Sequence, residues 1–253
     1  MASQFDASKP FSQAEIDKVV GSESSFAFEC QVHHRLRNWF INAQHGGTYI
    51  DPATKLHREF DIRVSAQTTA GNHINLAIEC KKISQATPVV VLQSLRKHNE
   101  RSVSEIVPMV TTNPHSARMP KTKDGFRRYS GNFVGRSIEQ YQRDKKIGCK
   151  KVRNADGIYA KWSQAISSCY EFVENGVGLH GAFRTLVIPV LVVPNSCLWL
   201  IDFDRGGVAS PARQASHCEV YVNVPVGDKG FRITHLEIWT FDAIEERVTS
   251  LEP

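Results

Sequence analysis

The sequence predicts an α/β fold, and three observations predict it. Two long segments carry apolar residues at helical spacing, Phe26 to Ile41 and about Ala155 to Asn175. Between and after them lie short segments that alternate apolar and polar, the signature of half-buried strands. One run, Arg184 to Val193, is almost continuously apolar, as expected of a strand covered on both faces.

Taken in order, residues 1–22 read as a lead-in with a short helix at Gln13 to Val20. In the helix predicted over Phe26 to Ile41, Val32, Leu36, Trp39 and Phe40 form the apolar stripe, Ser24 or Ser25 caps the start, and Gly46-Gly47 ends the pattern. Thr48 to Asp51 predicts a short strand closed by the turn Asp51-Pro52-Ala53-Thr54. Glu59 to Ala66 places Phe60, Ile62 and Val64 on one strand face and Glu59, Asp61 and Arg63 on the other. Ile74 to Lys81 alternates again, and Gly71-Asn72 between the two predicts a hairpin. Pro88 to Leu92 is a fourth strand.

From Ser94 to about Asp156 the apolar periodicity fades, and the segment reads as an insertion, part helix and part loop. The core then resumes with the second helix, closed by Gly176, and with strands at Arg184 to Val193 and Leu198 to Asp202. A strand pair at Glu219 to Val224 and Thr234 to Phe241 precedes a short C-terminal helix. The expectation is one domain over 1–253, with 94–156 inserted and 214–253 appended.

At 253 residues, with 41% hydrophobic and 23% charged, the chain can bury a core without staples, which excludes disordered and disulfide-stapled classes. The six cysteines form no CxxC pair or zinc spacing and read as reduced thiols of an intracellular protein. The polar N-terminus lacks the pattern of a signal peptide, and Leu186 to Val193 is too short to span a bilayer. A cytoplasmic protein with no membrane partner is the expectation.

Four residues resist a packing explanation. Asp61 points away from the apolar face of its strand. Glu79 and Lys81, two apart, share one face of the next strand with the small Ala77. Glu29 lies on the apolar stripe of its helix, where a carboxylate needs a partner. A lone Glu-x-Lys on a strand usually marks a solvated ion pair. Joined to an Asp on the preceding strand and a helix Glu, it suits metal-dependent phosphodiester hydrolysis. Carboxylates hold a hard divalent ion there, and a lysine orders water or offsets charge in the transition state.

Glu29, the run Arg58-Glu59-Phe60-Asp61 and the run Ile78-Glu79-Cys80-Lys81-Lys82 together resemble the PD-(D/E)XK restriction-endonuclease-like nuclease superfamily. Phe60 stands where that motif's name has Pro. The resemblance covers residues 24–93 and resumes at the helix around Gln164 and the strand Arg184 to Val193. It implies an αβββαβ core with a central mixed β-sheet flanked by helices. It also implies Mg2+ (or Mn2+) held by Glu29, Asp61, Glu79 and the main-chain carbonyl of Cys80, with Lys81 assisting the water. Gln164 resembles a polar helix position of some members, although the usual trailing Tyr is not at the expected spacing. A homo-oligomer is a further implication, since many such folds cut two strands as dimers.

The formal charge of +5 is too small to name a partner. Its distribution says more: 15 of the 31 basic residues lie between Arg96 and Arg153. That stretch is either a solvated insertion or a phosphate-tracking surface. In the second reading Arg118, Lys121, Lys123, Arg127, Arg128, Lys145 and Lys146 contact nucleic acid, and Tyr129, Phe133 and Tyr141 stack on bases. The histidines fit no metal pattern, and His33 and His34 read as surface residues. The expected function is a Mg2+-dependent DNA endonuclease of restriction or phage-defence type, acting on double-stranded DNA. The alternatives are a catalytically weak nucleic-acid-binding module of the same fold, and a defence effector nuclease gated by a ligand or by oligomerisation.

Overall fold

The computed structural model describes residues 10–40, 42–67, 73–97, 100, 105–106, 133–146, 148–152, 156–177, 185–226 and 231–251. The elements run α1 (Gln13–Glu23), α2 (Ser25–Arg37), β1 (Gln44–His45), β2 (Thr48–Ile50), β3 (His57–Glu59), β4 (Ile62–Gln67), β5 (His73–Cys80) and β6 (Val89–Leu95). There follow β7 (Glu105–Ile106), β8 (Phe133–Asp144), β9 (Gly148–Lys151), α3 (Asp156–Val177), β10 (Thr185–Val193) and β11 (Leu198–Phe203). The chain ends with β12 (Arg213–Gln214), β13 (His217–Val226), β14 (Phe231–Thr240) and α4 (Ala243–Thr249). The fold is α/β, with a large mixed sheet flanked by helices. No helix among the described residues is long and apolar enough to cross a membrane.

Both N-terminal helices start on serine caps. The Ser12 hydroxyl accepts from the Glu15 amide while the Glu15 carboxylate accepts from the Ser12 amide, and Ser24 accepts from Ala27. The stripe of α2 holds Phe28, Val32 and Leu36, all buried. It does not extend to Trp39 as expected: the helix stops at Arg37, and Trp39 is 42% exposed.

Sheet order is β1-β4-β5-β10-β14-β13-β8-β6-β11-β12, with β7 on β10 and β9 on β8. β4 runs antiparallel to β5, as the hairpin reading expects, and β10 lies parallel to β5 and β14. The run that is apolar throughout is buried throughout. Its Pro189 has no N–H to donate, and the pairing with β14 begins one residue later, at Val190.

The two sheet faces divide the core. Ile62, Val64, Ile74, Leu76, Ile78 and Cys80 pack with α2 and with Ala243, Ile244 and Val248 of α4. On the opposite face Ala77 and Val187 meet Ile166, Cys169 and Val173 of α3. A third cluster joins Ile158 and Ala165 of α3 to β6, β10, β11, β13 and β14.

The segment from Glu59 to Ala66 is not one strand. It breaks at Phe60 and Asp61, β3 pairing with β2 in a separate two-stranded sheet and β4 with β5. Gly47, at φ +151°, makes the break possible. A Cβ there would stand 2.5 Å from the Phe60 ring, which carries the Arg63 guanidinium at 4.2 Å.

The reading of 94–156 as part helix and part loop is corrected where the structure describes it. β8 is a 12-residue strand paired to β6, and it meets β13 at Gly135. Its polar residues are satisfied by ion pairs, so an apolar period does not reveal it. Arg136 forks onto both Glu100 carboxylate oxygens at 2.7 Å, and Glu139 accepts from the Tyr141 hydroxyl and the Lys151 ammonium. Tyr141 and Phe133 are thus strand residues of a sheet. Arg118, Lys121, Lys123, Arg127, Arg128 and Tyr129 lie outside the described residues. The C-terminal strands are not an appendage: β14 stands beside β10, inside the sheet.

Candidate functional site

Asp61 sits in the break between the two sheets. The β4–β5 register pairs Ile62 with Ile78, so one step on Asp61 stands opposite Glu79. Both project toward α3, because Ile62, Ile78 and Cys80 fill the opposite face. Glu79 is fully buried and Asp61 is 8% exposed. The Cys80 amide donates to Asp61 Oδ2 at 2.7 Å, and the Asp61 amide donates to Glu79 Oε1 at 3.4 Å.

The cation between them is one that sequence reasoning missed. Lys161 Nζ donates to both Asp61 oxygens at 2.7 Å and to Glu79 Oε2 at 2.9 Å. Burial and the Asp61 charge hold the Glu79 carboxyl well above the usual carboxylate range, and the two carboxylates keep Lys161 firmly protonated. Lys161 carries little signal in the sequence: Gly157, Lys161, Gln164 and Ser168 recur at intervals of four, three and four, but Ser163, Ser167, Glu171 and Glu174 are polar on the same helix. The face of Lys161 and Gln164 turns toward β3 and β4. Gln164 donates to the Glu59 carbonyl, and Arg63 donates to the Ser168 carbonyl at 2.8 Å and to Glu171 at 2.5 Å. Gln164 thus holds backbone and does not reach the carboxylates.

Lys81 occupies the next position on the face of Glu79. Its amide donates to the Val192 carbonyl at 2.9 Å. Its ammonium lies over Gly157, where a Cβ would come within 2.7 Å of Nζ. Gly157 and Lys161 are one turn apart on α3, so the two lysines lie along one helix face beside the carboxylate pair.

Glu29 arrives on α2, the helix that packs on the other face of the sheet. Burial, then the Asp61 charge, pushes its carboxyl upward. His45 Nε2 lies 3.9 Å from the Glu29 carboxylate, burial holds the His45 ring below its ordinary value, and that ring stacks on His33 at 5.1 Å. His33 is half-buried, as a partly exposed surface or interface residue is expected to be, and its Nε2 lies 3.0 Å from the Ala43 carbonyl. Among the described residues no three His, Cys, Asp or Glu side chains close on one point as metal ligands. Asp61 and Glu79 converge, Glu29 stands aside, and Cys80 contributes its amide to Asp61.

Lys145 and Lys146 are exposed in the turn joining β8 to β9. Other basic residues of that stretch are structural: Arg96 is 4% exposed and donates to Glu219 at 2.8 Å. Comparison with protein-family models, curated proteins and solved structures finds no match to this chain.

Proposed function

We propose that the chain is a divalent-metal-dependent nuclease that hydrolyses phosphodiester bonds, with double-stranded DNA its foremost substrate. One observation carries the reading. Asp61, at the break before β4, and Glu79, on β5, direct three oxygens at a single cationic nitrogen within 2.9 Å. A point that holds an ammonium in this way offers hard oxygen ligands. Mg2+ or Mn2+ takes one or two carboxylates and completes its sphere with water and phosphate oxygens, so this pair fits the ion. When bound, the ion would polarise the phosphate and acidify a water.

The chain's own residues supply the rest. Asp61 is oriented by the Cys80 amide and Glu79 by the Asp61 amide, so both carboxylates are set before any ligand arrives. Lys81 places a second positive charge beside them, suited to hold the attacking water or to offset charge on the phosphate. Glu29 stands apart on α2 and takes no ligand role in this reading. The connectivity supports the reading too: a helix bearing a Glu, a hairpin pair bearing Asp and Glu-x-Lys, a helix, and a strand parallel to the second. An αβββαβ core has three strands before its second helix, whereas β6 to β9 stand between β5 and α3 here, so the likeness rests on the part that carries the acidic residues.

A second reading has its own observation. Lys161 already offsets the charge of the carboxylate pair, as it would in a protein that kept this fold to bind nucleic acid without cutting it. A cleavage panel separates the two. Double-stranded DNA, single-stranded DNA and RNA are each incubated with Mg2+, Mn2+ or EDTA, using the wild type, Asp61→Asn, Glu79→Gln and Lys81→Ala. Cutting that EDTA and both carboxylate variants abolish, and that Lys81→Ala slows about a hundred- to a thousandfold, is the expected result. Binding without cutting under every condition assigns the second reading.

A further inference from the structure

We propose that Lys161 is an internal counter-cation that competes with the divalent metal for Asp61 and Glu79, so that the metal enters only as Lys161 swings out. The proposal rests on the reading of this pair as a metal centre. Its physical basis is the charge balance of a buried site. Glu79 has no exposed surface and Asp61 is 8% exposed, so two facing carboxylates must be neutralised by something. Lys161 supplies it, through three contacts of 2.7–2.9 Å.

The same three oxygens cannot serve an ammonium and a divalent ion together, because the nitrogen stands where the ion would. Lys161 is built to leave. Its side chain keeps 24% of its surface exposed, while its partners keep 9% and none, so solvent lies on the lysine side of the contact. Its stem rises from the second turn of α3, within the helix, so release needs only rotation of the side chain about its four methylenes and no backbone movement. Lys81 lies over Gly157, one turn away on the same helix, so the departing head turns to solvent, away from that second positive charge. The exchange makes metal affinity depend on the fraction of protein with Lys161 out: where that fraction is about one tenth, removing the lysine tightens metal binding about tenfold.

The test titrates Mn2+ by calorimetry into the full chain as wild type, Lys161→Met, Lys161→Arg and Asp61→Asn, with melting temperatures measured with and without Mn2+. The expected result has three parts. Lys161→Met binds Mn2+ about tenfold more tightly than the wild type or more. It melts lower without metal and gains more on adding it. Lys161→Arg, which keeps the charge, stays weak. If Lys161→Met and the wild type bind Mn2+ equally and Asp61→Asn does not bind it, the competition is overturned while the metal centre stands. If no protein binds Mn2+, or Asp61→Asn binds like the wild type, the metal-centre reading itself fails and the proposal with it. A wild-type measurement guards against a variant that does not fold. Saturating Mn2+ should raise acetylation of Lys161 several-fold relative to exposed lysines, judged by mass spectrometry, and unchanged reactivity overturns the proposal.

Discussion

At the scale of single residues, the molecule separates buried charge that does chemistry from buried charge that holds structure. Arg96 belongs to the second kind. It donates to Glu219 and to the Phe133 carbonyl and lies 3.5 Å from the His235 ring. Arg96→Met removes one side of a buried pair and is expected to cost about 3 kcal/mol in chemical denaturation. The salt dependence of nucleic-acid binding should stay unchanged, because this arginine meets no phosphate.

The same neighbourhood predicts a pH dependence. Burial, then the Arg96 charge, lowers the His235 ring from 6.5 to about 3. The Arg136 guanidinium lowers Glu100 from 4.5 to about 2. Below 6.5 the unfolded chain takes up a proton that folded His235 refuses, so stability falls as pH drops, by up to about 1.4 kcal/mol per unit. Below 4.5 Glu100 adds a loss of the same sign. The raised Glu79 carboxyl works the opposite way over this range, so the His235 contribution is read as a difference: from pH 6.5 down to 4.5 the melting temperature of the wild type should drop relative to that of His235→Gln.

At the scale of elements, legibility follows the kind of force that forms each one. Where apolar burial decides, as in β4, β5, β10 and the stripe of α2, the period in the sequence is the period in the fold. Where ion pairs decide, as in β8 with Arg136 and Glu139, it is not. The carboxylates were legible because an Asp and then a Glu-x-Lys stand on the non-apolar faces of successive alternating segments, after a helix Glu. Lys161 was not, since a lysine within an amphipathic helix violates nothing until its partners across 100 residues are known. Gly157 shows how an element positions a site residue. Gly157→Ala adds a helix-favouring residue, worth up to about 1 kcal/mol. The new methyl displaces the Lys81 head, 2.7 Å away, and spares the backbone. The expected variant melts at the wild-type temperature or above it and cleaves up to about a hundredfold more slowly. Wild-type cleavage rates would remove Lys81 from the site.

At the scale of the whole molecule, the modest charge of +5 conceals that several cations of the described residues are already engaged by carboxylates. Arg63, Arg96, Arg136, Lys150, Lys151, Lys161 and Arg247 all pair with carboxylates. A phosphate-tracking surface on the described residues therefore has to be sought at exposed cations outside these pairs. The turn between β8 and β9 presents two, Lys145 and Lys146, and the Lys146 amide is tied to Asp144 at 2.9 Å, which shapes the turn without engaging either ammonium. Replacing both with Glu leaves the strands and the core untouched, so the melting temperature should not move. If each lysine neutralises one phosphate of duplex DNA, the slope of log K against log salt should shrink by about 1.8, at roughly 0.9 for each phosphate left unneutralised. The two added negative charges should weaken binding further at low salt than at high. The measurement is a titration of labelled duplex by fluorescence anisotropy across a salt series, in EDTA so that no strand is cut. A slope equal to that of the wild type would clear the hairpin of phosphate contacts and leave the task to Arg118, Lys121, Lys123, Arg127 and Arg128.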